Sequence, residues 1–282
     1  MELISCPVCN SNDSSLYVKL KDRLKTNNET FSLVQCKCTF IYLNPRPNEN
    51  NIAEFYRNNN YSPHGKSGFF YKLAQKISFK WKLRIINKYL VNCNKPLILD
   101  YGSGKGEFAD YLIKKSFHID KYDPIFTKKN SQMYSNLNQI NKQYDIITLW
   151  HSLEHAHKLN QTLEKIYKLL SDKGVLLIAV PNINAAEKEY FRDGWAAYDA
   201  PRHLYHFSFK TMLNFLNKHG LKMIELKPIY QDTFYNTYLS LSSKYFLMKL
   251  IKACCISMIS FLKILFSDKQ NSSSLLYICI KK

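Results

Sequence analysis

The stretch Leu97-Ile-Leu-Asp-Tyr-Gly-Ser-Gly-Lys-Gly-Glu-Phe108 constrains the fold more than any other part of the chain. It sets an apolar run, an acidic residue, three alternating glycines and a helix start in that order. A strand turning tightly into a helix opens a βαβ unit. Gly102, Gly104 and Gly106 permit that turn and let the backbone approach a ligand at the helix N-terminus. The spacing is Gly-x-Gly-x-Gly rather than the dinucleotide Gly-x-Gly-x-x-Gly, and Asp100 stands just before it. A carboxylate there can pair with an ammonium group, which nicotinamide dinucleotides lack. Asp123 follows 23 residues after Asp100, at the expected end of the next strand, where it can accept both ribose hydroxyls.

Periodicity extends this unit in both directions. Residues 97–100, 118–123, 144–150 and 174–180 read as strands, and 106–115, 159–170 and 208–219 as helices, the last stopping at Gly220. Residues 221–229 read as extended and 274–281 as a final strand. Strands alternating with helices imply a parallel sheet covered on both faces. The tract 125–143 is short for a complete αβ unit, so a strand there is expected to be reduced. Upstream, 49–57 reads as a helix and 67–91 as a longer one, with Phe70, Leu73, Ala74, Ile77, Trp81, Ile85 and Tyr89 on one stripe. That helix lies in a tract, 58–99, without a single acidic residue but with Lys66, Lys72, Lys76, Lys80, Lys82, Arg84, Lys88 and Lys95. It reads either as a solvated face or as a surface for anionic lipid or phosphate. The expected boundaries are 1–44 for an N-terminal segment, 45–95 for a helical cap and 96–282 for the α/β domain.

The N-terminal segment carries four of the eight cysteines, as Cys6-Pro-Val-Cys9 and Cys36-Lys-Cys38. Short β-like runs between the pairs suit a hairpin that brings four thiolates to one structural zinc. The second pair is one residue tighter than Cys-x-x-Cys, which alters the knuckle. Cys93, Cys254, Cys255 and Cys279 sit among apolar neighbours and read as small core residues.

The formal charge of +18 calls for an anionic partner, yet only six of the 40 basic residues are arginine, the side chain suited to bidentate phosphate and base contacts. Nucleic acid is therefore the weaker partner class. Met1-Glu-Leu-Ile-Ser-Cys6 does not read as a signal peptide, and no apolar run reaches the roughly 18 residues of a spanning helix, so the expected compartment is the cytoplasm. A second acid-free tract, 233–267, is rich in Leu, Ile, Phe and Met. Lys249, Lys252, Ser260 and Lys263 fall near one side of a helix there, leaving a broad apolar face. Such a helix lies in a membrane interface, at the inner face of the membrane, or packs as a lid or core element.

The glycine loop with Asp100 and Asp123 resembles motif I and the second-strand acidic position of class I S-adenosylmethionine-dependent methyltransferases. The similarity continues through Tyr144-Asp-Ile-Ile-Thr-Leu-Trp-His-Ser-Leu-Glu-His155, Leu170-Ser-Asp-Lys-Gly-Val-Leu-Leu-Ile178 and Val180-Pro-Asn182, about half the chain. With the cysteine ribbon, Asn44-Pro-Arg-Pro47 and Trp195-x-x-Tyr198-Asp-x-Pro-Arg202-His-Leu-Tyr-His-Phe207, it is similar to a bacterial subgroup associated with surface-polysaccharide and secondary-metabolite pathways. The resemblance implies a seven-stranded, doubly wound Rossmann-like sheet whose last strand, near 275–280, inserts antiparallel after a helical insertion at 233–271. It implies S-adenosylmethionine as cofactor, with Asp100, Tyr101, Gly102, Ser103, Gly104 and Gly106 at the methionine end, Asp123 at the ribose, and Trp150 close by.

The same resemblance implies methyl transfer to a hydroxyl of a sugar, glycan precursor or other small metabolite. His151, Glu154 and His155 after the fourth strand, and His203 from a later loop, are the candidate catalytic residues. His155 or His203 would act as general base. In ubiquinone-pathway and small-RNA ribose methyltransferases a Glu-x-x-Glu-His pattern and a later His hold a divalent metal; here His151 takes the first carboxylate position, which favours a softer ion. The histidines could instead merely hold the loop. Trp195, Tyr198, Arg202 and His206 would stack on or clamp the acceptor, or simply fix the loop over the cofactor. The alternatives are an RNA methyltransferase, or a membrane-docked scaffold of methyltransferase shape. Against the first, Leu149-Trp-His-Ser152 follows the fourth strand where amino-group methylases carry Asn/Asp-Pro-Pro-aromatic.

Overall fold

A computed structural model describes residues 1–24, 29–56, 69–90, 95–125, 133–243, 245–266 and 269–282. The chain opens with β1 (Ser14–Lys21), β2 (Thr30–Cys36) and β3 (Ile41–Leu43), followed by α1 (Ile52–Tyr56) and α2 (Phe69–Lys88). Then come β4 (Leu97–Tyr101), α3 (Glu107–Ile113), β5 (His118–Tyr122), β6 (Met133–Tyr134), β7 (Tyr144–Trp150), α4 (Leu159–Leu169) and β8 (Leu170–Pro181). The rest is α5 (Lys188–Phe191), β9 (Tyr205–His206), α6 (Phe209–Lys218), β10 (Leu221–Pro228), α7 (Tyr230–Ser240), α8 (Phe246–Phe266) and β11 (Ser274–Lys281).

Seven strands form the main sheet in the order β10-β11-β8-β7-β4-β5-β6. β4 through β8 are mutually parallel, and β11 inserts antiparallel between β8 and β10, as expected. β6 has only two residues, the reduced strand foreseen for that tract. Successive residues of the central strands enter opposite cores, because side chains alternate across a sheet. Leu99, Ile147, Leu176 and Ile178 join the core under α4 and α6, while Ile98, Ile146, Leu177 and Ala179 join the one under α2 and α3. Burial on both faces is why these strands read as unbroken apolar runs. Ser208 starts α6 with a capping box shared with Thr211.

The cysteine segment is built into the body of the molecule. Its sheet runs β1-β2-β3-β9, so Tyr205 and His206 of the α/β domain supply the fourth strand. Leu20, Phe31, Leu33 and Phe40 share one core with Leu149 and Leu153.

Three expectations are corrected. The stripe on α2 is buried only in its second half: Ile85 and Ile86 pack under the sheet, but Leu73 and Ile77 are exposed. Cys254 and Cys255 are exposed because they lie on the outward side of α8; Cys279 is buried in β11, and Cys93 and Lys66 lie outside the described residues. The insertion is not one element but two, divided in role. α7 forms a wall of the central cavity, whereas α8 turns inward only Ala253, Ser260 and Ile264 and leaves most of its apolar surface in solvent. Among the described residues no helix is long and apolar enough to cross a membrane.

Candidate active site

The C-terminal ends of β4, β5 and β7 open into a cavity of about 580 Å³, in the range of a small-molecule site. Gly102 holds φ at +71°, and a Cβ there would stand 2.3 Å from Ser152 Cβ, so only glycine lets the loop pass β7's extension. Gly106 also has positive φ, at the start of α3, but it faces Lys121 and not the cavity, which assigns it to the helix start.

Asp100 is buried and accepts a 2.8 Å hydrogen bond from Thr148 Oγ1. Burial raises its pKa to about 6, against the opposing pull of Thr148 and Lys82. Its charge is therefore under-compensated and suits a cationic ligand group. Lys82 lies in the same cavity, with Nζ 4.6 Å from the centre of the Trp150 ring and 5.0 Å from that of Phe108. Burial lowers its pKa to about 8, with Asp100 and Asp232 pulling the other way. Asp100 and Lys82 together offer a carboxylate and an ammonium to a zwitterion such as an amino-acid moiety. In sequence Lys82 is indistinguishable from its basic neighbours; its two-residue offset from the exposed Lys80 is what turns it inward.

Asp123 is buried at the end of β5. Its Oδ2 accepts from Gly104 N and its Oδ1 from Ile125 N, each at 2.8 Å. This carboxylate braces the glycine loop. Tyr101, Gly102, Ser103, Gly104 and Trp150 all line the cavity.

The histidine cluster divides in two. His151 has a left-handed backbone (φ 52°) and pairs through Nε2 with Asp232 at 2.9 Å and through Nδ1 with buried Glu154 at 3.6 Å. Burial would lower its pKa, but Asp232 and Glu154 outweigh that and raise it to about 10. His151 is accordingly the cation of the cluster. Burial likewise works against an ionised Glu154, yet His151 overcomes it and takes the carboxyl down to about 2. Asp232, on α7, escaped sequence reading because it immediately precedes the acid-free tract; a lone carboxylate beside a long apolar helix was the available signal.

His155 and His203 form the second half, their rings 4.7 Å apart and both lining the cavity. His155 Nδ1 lies 2.9 Å from the Arg202 carbonyl and from Tyr56 Oη, and His203 Nδ1 lies 2.8 Å from the Ala197 carbonyl. A carbonyl can only accept, so each Nδ1 carries a proton, and in the neutral form of such a ring Nε2 is the acceptor. Burial and the neighbouring His203 lower the His155 pKa to about 4. Glu154, His155 and His203 bring ligand atoms within 4.8 Å of one another, close enough to hold one ion, while His151 is engaged by Asp232.

The four residues assigned to acceptor binding sit elsewhere. Trp195 and Tyr198 are buried in the core, in edge contact 5.2 Å apart, and His206 is buried in β9. Arg202 is fully buried, with Nη2 bonded to Asp22 at 2.7 Å and Asp199 at 2.8 Å. An aromatic-rich loop reads alike whether its rings stack on a ligand or on one another, and here they fill the seam between ribbon and sheet.

At the ribbon tip, Cys6 Sγ lies 3.6 Å from Cys38 Sγ, and Cys9 Sγ 3.4 Å from Cys36 Sγ, with all four sulfurs within 4.8 Å of one another. A tetrahedral zinc with Zn–S bonds of about 2.3 Å spaces its sulfurs about 3.8 Å apart, so the donor set and its dimensions fit that ion.

The sheet order, the antiparallel β11 and the glycine-loop cavity with its two acids define the architecture of a class I S-adenosylmethionine-dependent methyltransferase. A family model described as a methyltransferase domain matches residues 72–226, more than half of the chain, and the chain belongs to that family. Among solved structures it is similar to 1,6-didemethyltoxoflavin-N1-methyltransferase from Burkholderia thailandensis, with S-adenosylhomocysteine bound, at TM-score 0.52 and 12% identity over 89% of this chain and 96% of that one. It is also similar to mycolic acid cyclopropane synthase CmaA1, at TM-score 0.50 and 12% identity over 78% and 91% of the two chains. A third similarity, to a SAM-dependent methyltransferase from Archaeoglobus fulgidus, has TM-score 0.48 and 17% identity over 76% of this chain and 100% of that one. No curated protein matches the sequence.

Proposed function

We propose that this S-adenosylmethionine-dependent methyltransferase methylates a hydroxyl of a sugar, a glycan precursor or another small metabolite. The observation that carries this reading is the pair of cavity-facing imidazoles, each with its Nδ1 proton committed to a backbone carbonyl. A hydroxyl nucleophile must lose a proton as it attacks, and an imidazole Nε2 can take it. His155, depressed to about 4, is a weak proton acceptor near neutrality, which leaves the role to His203. Asp100 and Lys82 would hold the amino-acid end of the cofactor, and the loop braced by Asp123 its nucleoside. When bound, the cofactor supplies an already activated methyl group, so the protein's remaining task is alignment.

His203→Ala should lower turnover on a hydroxyl acceptor by roughly 10²–10⁴-fold, the usual worth of a general base. S-adenosylmethionine affinity by calorimetry should be unchanged. Undiminished turnover across a panel of sugar and nucleotide-sugar acceptors would refute the assignment. Activity lost on chelation and restored by a divalent ion would replace the base by a metal held at Glu154, His155 and His203.

We infer also that Cys6, Cys9, Cys36 and Cys38 bind one structural zinc. Purified protein should contain about one zinc per chain, and Cys36→Ser should abolish it and lower the melting temperature, because metal binding is coupled to folding of the ribbon. A metal-free wild type of undiminished stability would refute this.

A further inference from the structure

The outward side of α8 is apolar over its whole length. Leu247, Met248, Ile251, Met258, Ile259, Leu262 and Leu265 are each between 44% and 65% exposed, and Phe266 is 86% exposed. Soluble surfaces seldom leave so continuous an apolar strip to water. Helix geometry explains the arrangement: at 100° per residue these positions share one half of the circumference, while Ala253, Ser260 and Ile264 occupy the half that packs inward.

One border of the strip is basic. Lys252 and Lys263 lie along one edge, both exposed, with Lys263 Nζ 3.1 Å from Glu189 Oε2, and Lys249 sits over the Tyr238 ring at 4.3 Å. At the opposite edge Phe261 touches Tyr230 of α7, and Gln231 hydrogen-bonds Ser78 of α2. On α2, Lys72, Lys76 and Lys80 are exposed, with Leu73 and Ile77 between them. Neither α2 nor α8 contains an acidic residue.

We propose that this surface docks on an anionic lipid bilayer, with the α8 strip in the acyl–headgroup boundary and the flanking lysines at the phosphates. The charge pattern selects this occupant. An apolar helix face edged by lysines is complementary to a negatively charged interface. A second copy of the chain would set lysine edges against each other, and Glu189, the acid at that edge, already lies 3.1 Å from its own chain's Lys263. The three lysines also explain why α8 lies on the bilayer instead of crossing it. Docking brings α7, which carries Asp232 and walls the cavity, next to the lipid surface.

Flotation of the full chain tests this with phosphatidylcholine vesicles, with and without about one third phosphatidylglycerol. Wild type should float with the anionic vesicles, float poorly with the neutral ones, and detach as salt rises. The double variant Met258→Glu/Leu262→Glu, altered at exposed positions remote from the cavity, should bind anionic vesicles at least about tenfold more weakly. Its S-adenosylmethionine affinity should stay intact. Lys252→Gln/Lys263→Gln should lose the preference for anionic over neutral lipid. Failure of wild type to float at low salt would overturn the proposal, as would a double variant that floats undiminished. So would a wild-type dimer that the double variant converts to a monomer, since the strip would then be covered by a second copy.

Discussion

Arg202→Ala should destabilise the protein by roughly 3–5 kcal/mol, the cost of leaving buried carboxylates without their cation. At about 2–4 °C per kcal/mol for a chain of this size, that is a melting-temperature drop on the order of 10 °C. The guanidinium is fully buried between Asp22, just beyond β1, and Asp199, in the loop that lines the cavity, so it ties the ribbon to the methyltransferase body. Burial would raise the Asp199 pKa, but Arg202 holds it well below the usual carboxylate range. A depressed carboxylate contributes stability that is full above its unfolded pKa and lost as pH falls through its folded one. The gap between wild type and variant should therefore be widest near neutrality and narrow as the solution is acidified. Thermal melts from pH 7 downward measure it. If the variant melts like wild type and only its Michaelis constant for the acceptor rises, Arg202 belongs to acceptor recognition after all.

Asp100→Asn should move stability and binding in opposite directions. Burial raises the Asp100 pKa from 3.8 to about 6, so above that pH the folded state keeps an ionised carboxylate at a cost on the order of 2–3 kcal/mol. The sign is opposite to that of Asp199: this group subtracts stability as pH rises, and the subtraction is complete above about pH 6. Asparagine keeps the acceptor for Thr148 and removes the charge, so the ligand-free variant should melt several degrees higher. Its affinity for S-adenosylmethionine should fall by roughly 2–5 kcal/mol, the loss expected when one partner of a buried charge pair is truncated. Wild-type affinity should also weaken as the pH drops below about 6, where a proton competes with the ligand's ammonium. Calorimetry beside thermal melts decides the matter, and a variant that binds as tightly as wild type would remove Asp100 from the site.

These two residues show where reading the chain succeeded and where it stopped. Asp100 was legible because its neighbours are local: the strand before it, the glycines after it and the period-two burial of Ile98 and Leu99 all lie within a few positions. Arg202 was not, because its partner Asp22 is 180 residues away in sequence. The burial of Trp195 and Tyr198 was hidden for the same reason. An aromatic side chain announces that it will bury area, but whether against ligand or protein depends on what the fold brings opposite it. Asp232, Tyr56 and Lys82 went unread because each reaches the cavity from an element outside the parallel core, and no local spacing records that approach.

Apolar periodicity, one glycine loop and four cysteines were sufficient for the layered α/β class, the strand sequence through β8 and the ribbon, since each follows from interactions between near neighbours along the chain; the antiparallel closing strand came only from the resemblance to class I methyltransferases. Long-range packing alone assigned the charges of the histidine cluster, turned the aromatic loop into a strut, wove the ribbon into a sheet with β9 and split the insertion into a cavity wall and an exposed helix. Ionisation, burial and exposure depend on distances between segments remote in the chain, and those distances exist only once the chain has folded.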